Sequence, residues 1–264
     1  MLKIATWNIN SVRLRIGLVE RFLDEHKPDV LCLQETKTID ETFPAAALAA
    51  KGYTHQHILG MKGYNGVAIL SRLPLAKKGF KNWHEKEDCR HIFAELSNGT
   101  EIHCCYVPAG GDIPDPKANV KFAHKLGFMD EMAAWWKARK DKKKSKILVG
   151  DLNVAPLEHD VWSHKQMLGV VSHTPIEVEK FTLWQKAHNW YDAVRHFTPE
   201  SEKLYSWWSY RAADWAASDR GRRLDHIWVT PDMAPALKKA DILRAARGWG
   251  PKPSDHVPVM IEVG

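Results

Sequence analysis

KILVGDLN, residues 146–153, is a short apolar run with an acid and an amide at its end. Four to eight mostly apolar residues bounded by glycine are typical of a strand inside a buried sheet. Asp151 and Asn153 are two residues apart, so an extended backbone presents both side chains on one side. An Asx turn is the ordinary explanation of an isolated Asp-x-Asn, and polar residues at other strand ends are needed to favour a site.

Similar apolar runs recur along the whole chain and end near turn or polar residues. The predicted strands are Leu2–Trp7, Val30–Gln34, Gly66–Ser71, His91–Leu96, Ile102–Val107, Lys146–Gly150, Leu224–Val229 and Val257–Val263. Between them lie an amphipathic helix from Leu14 to Leu23, with Asn10 or Ser11 as its cap, and a longer helix over Ala118–Lys140. No Gly-, Ser- or Pro-rich linker divides the chain. We expect one domain over residues 1–264, an α/β sandwich of two packed sheets with helices outside.

The composition favours a polyanionic partner. Lys and Arg number 38 against 32 Asp and Glu, a formal net charge of +6. Such an excess attracts nucleic acid, although many basic proteins bind none. The 12 tryptophans are either large core units or stacking surfaces for sugars and bases, and core packing is the general expectation.

The cysteines and the apolar runs bear on the protein's location. The four cysteines include no Cys-x-x-Cys pair and three lie in apolar runs, so we expect reduced thiols in the core. Met1 leads directly into a predicted strand, and no apolar run approaches the ~20 residues needed to span a bilayer. These features predict a soluble, cytoplasmic protein with no membrane association.

Polar side chains also end the first two predicted strands. Glu35 directly follows Val30–Gln34, and Asn8 follows the first strand. A strand-end carboxylate suits Mg²⁺, a hard cation that needs only one or two protein ligands, but a Glu that faces solvent is equally frequent. The amide of Asn8 can donate to a phosphate oxygen or accept from a metal-bound water.

An acid and a histidine precede the last strand. Asp255 and His256 stand before Val257–Val263, and Asp225 lies at the start of an earlier predicted strand, Leu224–Val229, directly after Leu224. A carboxylate that binds an imidazole fixes its tautomer and raises its basicity, so Asp225 is a candidate to orient His256. Most of the 14 histidines are expected to be structural, but acids at several strand ends favour a catalytic role for His256.

Taken in chain order, these motifs resemble the signatures of the exonuclease III branch of the endonuclease/exonuclease/phosphatase superfamily. The motifs are Trp7-Asn8, Leu33-Gln34-Glu35, Gly66–Ser71, Tyr106-Val107-Pro108, Gly150–Asn153, Arg223–Asp225 and Ser254–His256. They span nearly the whole chain, and an ordered set is far more specific than one motif. The resemblance implies a four-layered α/β sandwich, two packed mixed sheets flanked by helices, with the active site at one end.

The resemblance also implies an activity and a partner. Its best-matched members cleave the DNA backbone 5′ to abasic sites and remove nucleotides or blocking groups from 3′ ends. Double-stranded DNA is then the partner, and a monomer is the expected state. Mg²⁺ is the implied cofactor, with Mn²⁺ as the alternative ion.

Each matched residue inherits a role from the resemblance. Glu35 is similar to the principal metal ligand, and Tyr106 to the phenol beside the phosphate. Around the metal and the scissile phosphate lie Asn8, Asp151, Asn153, Asp255 and His256. The metal and His256 then offset charge on the phosphoryl oxygens, with Asp225 as the partner of His256. Either Asp151 or His256 deprotonates the attacking water, and the sequence leaves this choice open.

A tryptophan-rich segment, residues 205–210, resembles the family segment that walls the pocket for a flipped abasic sugar. The residues expected to bind substrate are Asn8, Trp207, Arg211, Trp215 and Leu224. A wall of Trp207 and Leu224 would select a bare deoxyribose by shape, whereas Trp208 is expected in the core. The stretch 211–222 is expected to be a loop that enters a groove or contacts phosphates.

Two residues depart from the family pattern. Asp112 follows the Tyr106 motif where some relatives carry a basic residue, and its charge would repel phosphate. Asn10 stands where relatives can have Asp, which disfavours a second metal site. Two rival hypotheses remain: a phosphatase or sphingomyelinase of the same superfamily, and a DNA-binding sandwich that has lost catalysis.

Overall fold

Two six-stranded sheets and a short ribbon form the core of the structure, a computed structural model that describes residues 1–139 and 144–264. With strands numbered in chain order, the first sheet runs β13 (Leu237–Ile242), β14 (Val259–Val263), β1 (Leu2–Asn8), β2 (Val30–Gln34), β4 (Tyr64–Ser71), β3 (His55–Met61). The second runs β5 (Leu75–Phe80), β6 (His91–Leu96), β7 (Glu101–Tyr106), β8 (Lys146–Asp151), β12 (Asp225–Val229), β9 (Tyr191–Asp192). The ribbon pairs β10 (Trp207–Trp208) with β11 (Gly221–Arg222).

Helices cover the outer face of each sheet. The α-helices are α1 (Ile16–His26), α2 (Ala45–Ala50), α3 (Val120–Ala138), α4 (His164–Met167), α5 (Pro175–Ala187) and α6 (Trp215–Ser218). Short 3-10 turns span Asp40–Thr42, Glu158–Asp160, Pro231–Ala236 and Arg244–Gly248. Phe22 of α1 packs on Trp7 of the first sheet, and Trp184 of α5 packs on Trp228 of the second. A third apolar cluster fills the space between the sheets, which confirms the four-layered α/β sandwich.

Each sheet contains one parallel strand pair, β1 with β2 and β7 with β8, and antiparallel pairs around it. The sheets are therefore mixed, as predicted. The carboxyl ends of both parallel pairs meet at one end of the sandwich, because Asn8 of β1 donates a hydrogen bond to Asp151 of β8. Polar strand ends from the two sheets are thereby brought together.

The apolar pattern predicted the central strands of both six-stranded sheets and missed all four of their edge strands. The edge strands β3, β5, β9 and β13 were not predicted, because their side chains are half-exposed or exposed and carry no continuous apolar run. Edge strands are commonly short, charged or twisted, which blurs the apolar signal. The last strand begins at Val259 rather than Val257, because Pro258 has no N–H to donate to the ladder.

The helix predictions needed two corrections. The first helix begins at Ile16 after Arg15, which makes no side-chain cap, so the predicted cap at Asn10 or Ser11 is wrong. Leu14 lies before this helix and is 55% exposed. The long helix begins at Val120, where Asn119 caps it, and ends at Ala138; Lys140 lies outside the described residues.

The cysteines are unpaired, as expected, and three of them are buried. Within the described ranges no helix has the length and apolarity needed to cross a membrane.

Candidate active site

Three neighbouring strands of the second sheet present polar side chains at one edge. Tyr106 of β7 lies opposite Asp151 of β8, and Asp225 of β12 lies on the other side of Asp151. Gly150 makes this approach possible, since a Cβ there would lie 1.8 Å from the carbonyl oxygen of Cys105. No other residue fits at that position without moving β7 from β8, so Gly150 sets where Asp151 projects.

Asn8 joins the two sheets at this edge. Its side chain is fully buried, and its Nδ2 donates to Asp151 Oδ2 at 2.8 Å and to Glu35 Oε1 at 2.9 Å. The hydroxyl of Tyr106 donates to the same Glu35 oxygen at 2.8 Å, and Asn153 Nδ2 donates to Asp151 Oδ2 at 3.2 Å. One amide thus holds two carboxylates from different sheets side by side.

His256 lies between two carboxylates. Its Nδ1 is 2.8 Å from Asp225 Oδ2, and its Nε2 is 3.6 Å from Asp151 Oδ2. The backbone is also fixed, because Trp7 Nε1 donates to the carbonyl oxygen of His256 at 3.0 Å. The structure therefore brings together the Asp225 and His256 pair that the sequence singled out.

Burial and these neighbours set the charges. Burial by itself lowers the pKa of His256, but the carboxylates of Asp225 and Asp151 raise it to about 10. Burial raises the pKa of Asp151 to about 7, against the opposing effect of His256. Burial also acts to raise the pKa of Glu35, yet Lys37 and the Asn8 hydrogen bond leave it lowered. These neighbours therefore favour the cationic form of His256 and the ionised form of Glu35, whereas burial favours the neutral form of Asp151.

Lys37 belongs to the site and was missed in the sequence. Its Nζ lies 2.8 Å from Glu35 Oε2 and 2.6 Å from Asn10 Oδ1. Asn10 in turn donates to Asp255 Oδ1 at 3.1 Å. Asn10, Glu35 and Lys37 all adopt left-handed backbone conformations, with φ of 48°, 51° and 52°. The left-handed conformations of Glu35 and Lys37 form a tight turn that brings the Lys37 ammonium back to the Glu35 carboxylate. The apolar periodicity of the sequence does not predict such a turn.

A cavity of about 660 Å³ opens above these groups. Of the predicted residues, it is lined by Glu35, Tyr106, Asp151, Asn153, Trp207, Arg211, Leu224, Asp255 and His256. The wall includes Trp207, whose Nε1 donates to Asp255 Oδ2 at 2.9 Å. Trp208 is 1% exposed, as expected of a core ring, although its edge reaches the cavity. The acidic side chain of Asp112 lies at the rim.

The structure places Trp215 away from this lining. Trp215 is the first residue of α6. Its ring packs on the ring of Trp208, with 5.4 Å between the two centroids, and the guanidinium of Arg244 lies over it. The predicted loop 211–222 contains α6 and β11, so it is partly regular.

A buried ion pair behind the cavity was also missed. Lys125 of α3 and Glu177 of α5 are both fully buried and hydrogen-bonded to each other. Lys125 Nζ also donates to the carbonyl oxygens of Asn153 at 2.7 Å and Ala109 at 3.3 Å. Glu177 accepts from the backbone N–H of Ser172 at 2.9 Å. This pair therefore holds three loops that line the cavity.

Fold and site together are those of a phosphodiesterase family. The profile of the Endonuclease/Exonuclease/phosphatase family matches residues 5–256, and the chain belongs to this family. A full-length relative supports this assignment. Exodeoxyribonuclease III of Haemophilus influenzae is 30% identical, covering 99% of each chain.

Two solved structures share the whole fold. An AP endonuclease from Archaeoglobus fulgidus superimposes with a TM-score of 0.92 and 32% identity, covering 100% of this chain and 99% of that one. The structure of a Neisseria 3′ phosphatase bound to a product DNA hairpin superimposes with a TM-score of 0.91 and 31% sequence identity, and the match covers 100% of both chains. The chain is accordingly a hydrolytic nuclease of DNA repair, and the hypothesis of a sandwich without catalysis is wrong.

Proposed function

We propose that this nuclease uses Mg²⁺ to cut the DNA backbone 5′ to abasic sites and to remove nucleotides or blocking groups from 3′ ends, as a cytoplasmic monomer. The observation that carries the proposal is the placement of Asp151 and His256 at the floor of a cavity walled by Trp207 and Leu224. A shaped wall beside the reacting groups favours a substrate whose sugar is turned out of the duplex. The names of the relatives support the same choice over inositol phosphates or sphingomyelin.

The donor set fits a hard divalent cation. Glu35 Oε2 accepts only from the ammonium of Lys37 among the described residues, so this oxygen already accommodates positive charge. Asp151, Asp225 and His256 also offer ligand atoms within 4.8 Å of one another, but all three are buried and His256 is bound to Asp225. Mg²⁺ keeps several waters, which favours Glu35 and Asp255 at the cavity surface. When bound, the cation supplies charge stabilisation for the phosphoryl oxygens.

Asn8 acts through its hydrogen bonds in this proposal. Its Nδ2 donates to two carboxylates and its Oδ1 accepts from the backbone N–H of Asn10, so it orients Glu35 and Asp151 instead of serving as a free ligand. Asn153 is engaged in the same way, with Nδ2 donating to the carbonyl oxygen of Val107 at 2.9 Å. Both amides keep the acids in fixed positions while substrate binds.

Asp151 is the base that we propose for the attacking water. His256 has a carboxylate at each ring nitrogen, an arrangement that favours imidazolium, and imidazolium has no lone pair to accept a proton. Asp151 has a pKa near neutrality and lies beside the imidazolium, so it can take up a proton from water. The Nε2–H of His256 then faces the phosphoryl oxygens as a charged donor.

The test is cleavage of a labelled duplex with one abasic-site analogue, beside an intact duplex and a hairpin with a 3′-phosphate. We expect incision 5′ to the analogue in Mg²⁺, none in EDTA, and loss of cutting without loss of binding in Asp151→Asn. Equal cutting of intact and abasic duplex contradicts the selectivity, and hydrolysis of inositol phosphates in preference to DNA contradicts the substrate. Sedimentation of the purified protein tests the monomer.

A further inference from the structure

An arginine in the cavity wall forms no ion pair within the described residues. Arg222 of β11 lies beside Trp207 of β10, with its guanidinium 5.0 Å from the centre of the Trp207 ring, and both line the cavity. Its Nη1 donates to the carbonyl oxygen of Val171 at 3.1 Å and to Ser172 Oγ at 3.0 Å. Two anchors and a stacked ring therefore fix the direction of this side chain.

The rest of the guanidinium has no acceptor. Its Nε is buried without a hydrogen-bond partner, and in residues 1–139 and 144–264 no carboxylate lies within ion-pair distance of Arg222; the nearby carboxylate of Glu177, which acts on its charge, is already paired with Lys125. The next residue, Arg223, points into the protein and is paired with Asp192 at 2.5 Å and with Asp160 at 3.7 Å. Within the described residues Arg223 therefore has two acidic ion-pair partners and Arg222 has none, although Nε and Nη1 of Arg223 also lack hydrogen-bond partners.

The position of Arg222 relates it to the chemistry. Trp207 lies opposite Arg222 on one side and forms a bridge to His256 on the other. Two strand spacings of about 4.8 Å separate the backbone of Arg222 from that of His256, or about 10 Å in all. Directly paired residues project from the same face of a sheet, so Arg222 and His256 both face the cavity, and this backbone interval is about the span of one sugar.

We propose that Arg222 forms a second anion subsite, which binds the phosphate on the 3′ side of the abasic sugar, one sugar beyond the scissile phosphate. The planar fork of a guanidinium pairs with phosphate oxygens through charge-assisted hydrogen bonds. With such a contact the cavity would select its substrate by the negative charge of this phosphate as well as by the shape of the sugar. The inference rests on the proposed function, because it assumes that the cavity receives the abasic sugar.

This phosphate has two sources. In a continuous strand it is the backbone phosphodiester 3′ to the abasic sugar, and at a blocked end it is a terminal 3′-phosphate on that sugar. The first arm of the test uses an internal abasic analogue followed by either a normal phosphate or a neutral methylphosphonate. The second arm uses a recessed end whose terminal abasic residue carries either a 3′-phosphate or a 3′-hydroxyl.

We compare wild type with Arg222→Gln and Arg222→Lys, and use Arg21→Gln as the matched control. Arg21 also stacks on a tryptophan, Trp249, but lies on the exposed surface of α1. For Arg222→Gln we expect kcat/KM to fall about 10- to 100-fold on the charged substrate, the size of a lost charged hydrogen bond. The neutral substrate is expected to lose less than threefold, Arg222→Lys to be intermediate, and the control to be unchanged.

The two arms separate the sources. A charge-dependent loss in the first arm assigns the backbone phosphate, and one in the second assigns the terminal phosphate. Equal losses on charged and neutral substrates in both arms overturn the inference, because they show that Arg222 only supports Trp207. Failure of wild type to cut any abasic substrate contradicts the proposed function, whichever way the Arg222 variants behave.

Discussion

Nδ1 of His256 lies 2.8 Å from Oδ2 of Asp225, and both side chains are buried, with the histidine 4% and the acid 0% exposed. The other oxygen of Asp225 has no partner within the described residues. The carboxylate therefore acts chiefly on the imidazole, which it orients and keeps positively charged.

If these two residues act as one unit, their effects on turnover are not additive. We expect His256→Ala to lower kcat by about 10²- to 10³-fold and Asp225→Ala by about 10²-fold, with little change in DNA affinity. The double variant is expected to be barely worse than His256→Ala. Steady-state kinetics on the abasic duplex measure this cycle, and fully additive losses would assign Asp225 a separate, structural role.

Removal of the Glu35 carboxylate tests the proposed cation site. Glu35→Gln keeps a hydrogen-bond acceptor for Asn8 and Tyr106 but removes the charge, so we expect turnover in Mg²⁺ to fall at least about 100-fold. Binding of duplex DNA is expected to persist, as measured by fluorescence anisotropy in EDTA. Undiminished cleavage in Mg²⁺ would remove Glu35 from the metal site.

The proposed substrate selectivity depends on the ring of Trp207. Loss of its ring in Trp207→Ala enlarges the cavity, so we expect the ratio of abasic to intact-duplex cleavage to fall about tenfold or more. Trp207→Phe retains a ring but lacks the N–H that donates to Asp255, and it separates shape from that hydrogen bond. An unchanged ratio in the alanine variant refutes selection by shape.

The buried pair of Lys125 and Glu177 predicts a stability pattern. Lys125→Met leaves a buried carboxylate without its cation, which costs about 3–5 kcal/mol of unfolding free energy. Glu177→Gln added to Lys125→Met removes the stranded charge and is expected to restore part of that loss. Urea denaturation at pH 7 measures both variants. A double variant less stable than Lys125→Met would show that backbone bonds to Glu177, not charge pairing, dominate.

Acid sensitivity is expected at the opposite end of the second sheet. Although burial acts to raise the pKa of Glu101, its hydrogen bond with His103 and nearby cations lower it to about 2. A carboxylate with a lowered folded-state pKa contributes stability above its unfolded value of about 4.3, and this is lost as pH falls toward 2. Glu101→Gln should flatten that part of a stability curve. Parallel curves for wild type and variant below pH 4 would contradict this assignment.

The apolar pattern predicted what lies at the centre of each sheet. β2 and β6 were predicted with their bounds, because both are bounded by polar or turn residues and buried on both faces or nearly so. The polar residues at the ends of these strands then predicted that Glu35, Asp151 and Asn8 belong to one site, because few arrangements of the strands agree with their order in the chain.

The remaining groups depend on contacts across the fold. Lys37 reaches Glu35 through a left-handed turn, and Lys125 meets Glu177 from another helix. Neither follows from spacing along the chain, because a lysine on a helix ordinarily faces solvent. Arg222 was expected on a DNA-contacting loop, but its ring contact with Trp207 depends on the β10 and β11 pairing, which no local pattern specifies.

Strand β14 is inserted between β1 and β13, and the segment immediately before it carries Asp255 and His256. Residues 254–263 must therefore be synthesised before the chain can close its first sheet and present its imidazole. A premature stop codon ahead of Ser254 leaves β1 with an open edge and no histidine beside Asp225. We expect chains that end before Ser254 to be inactive in DNA cutting.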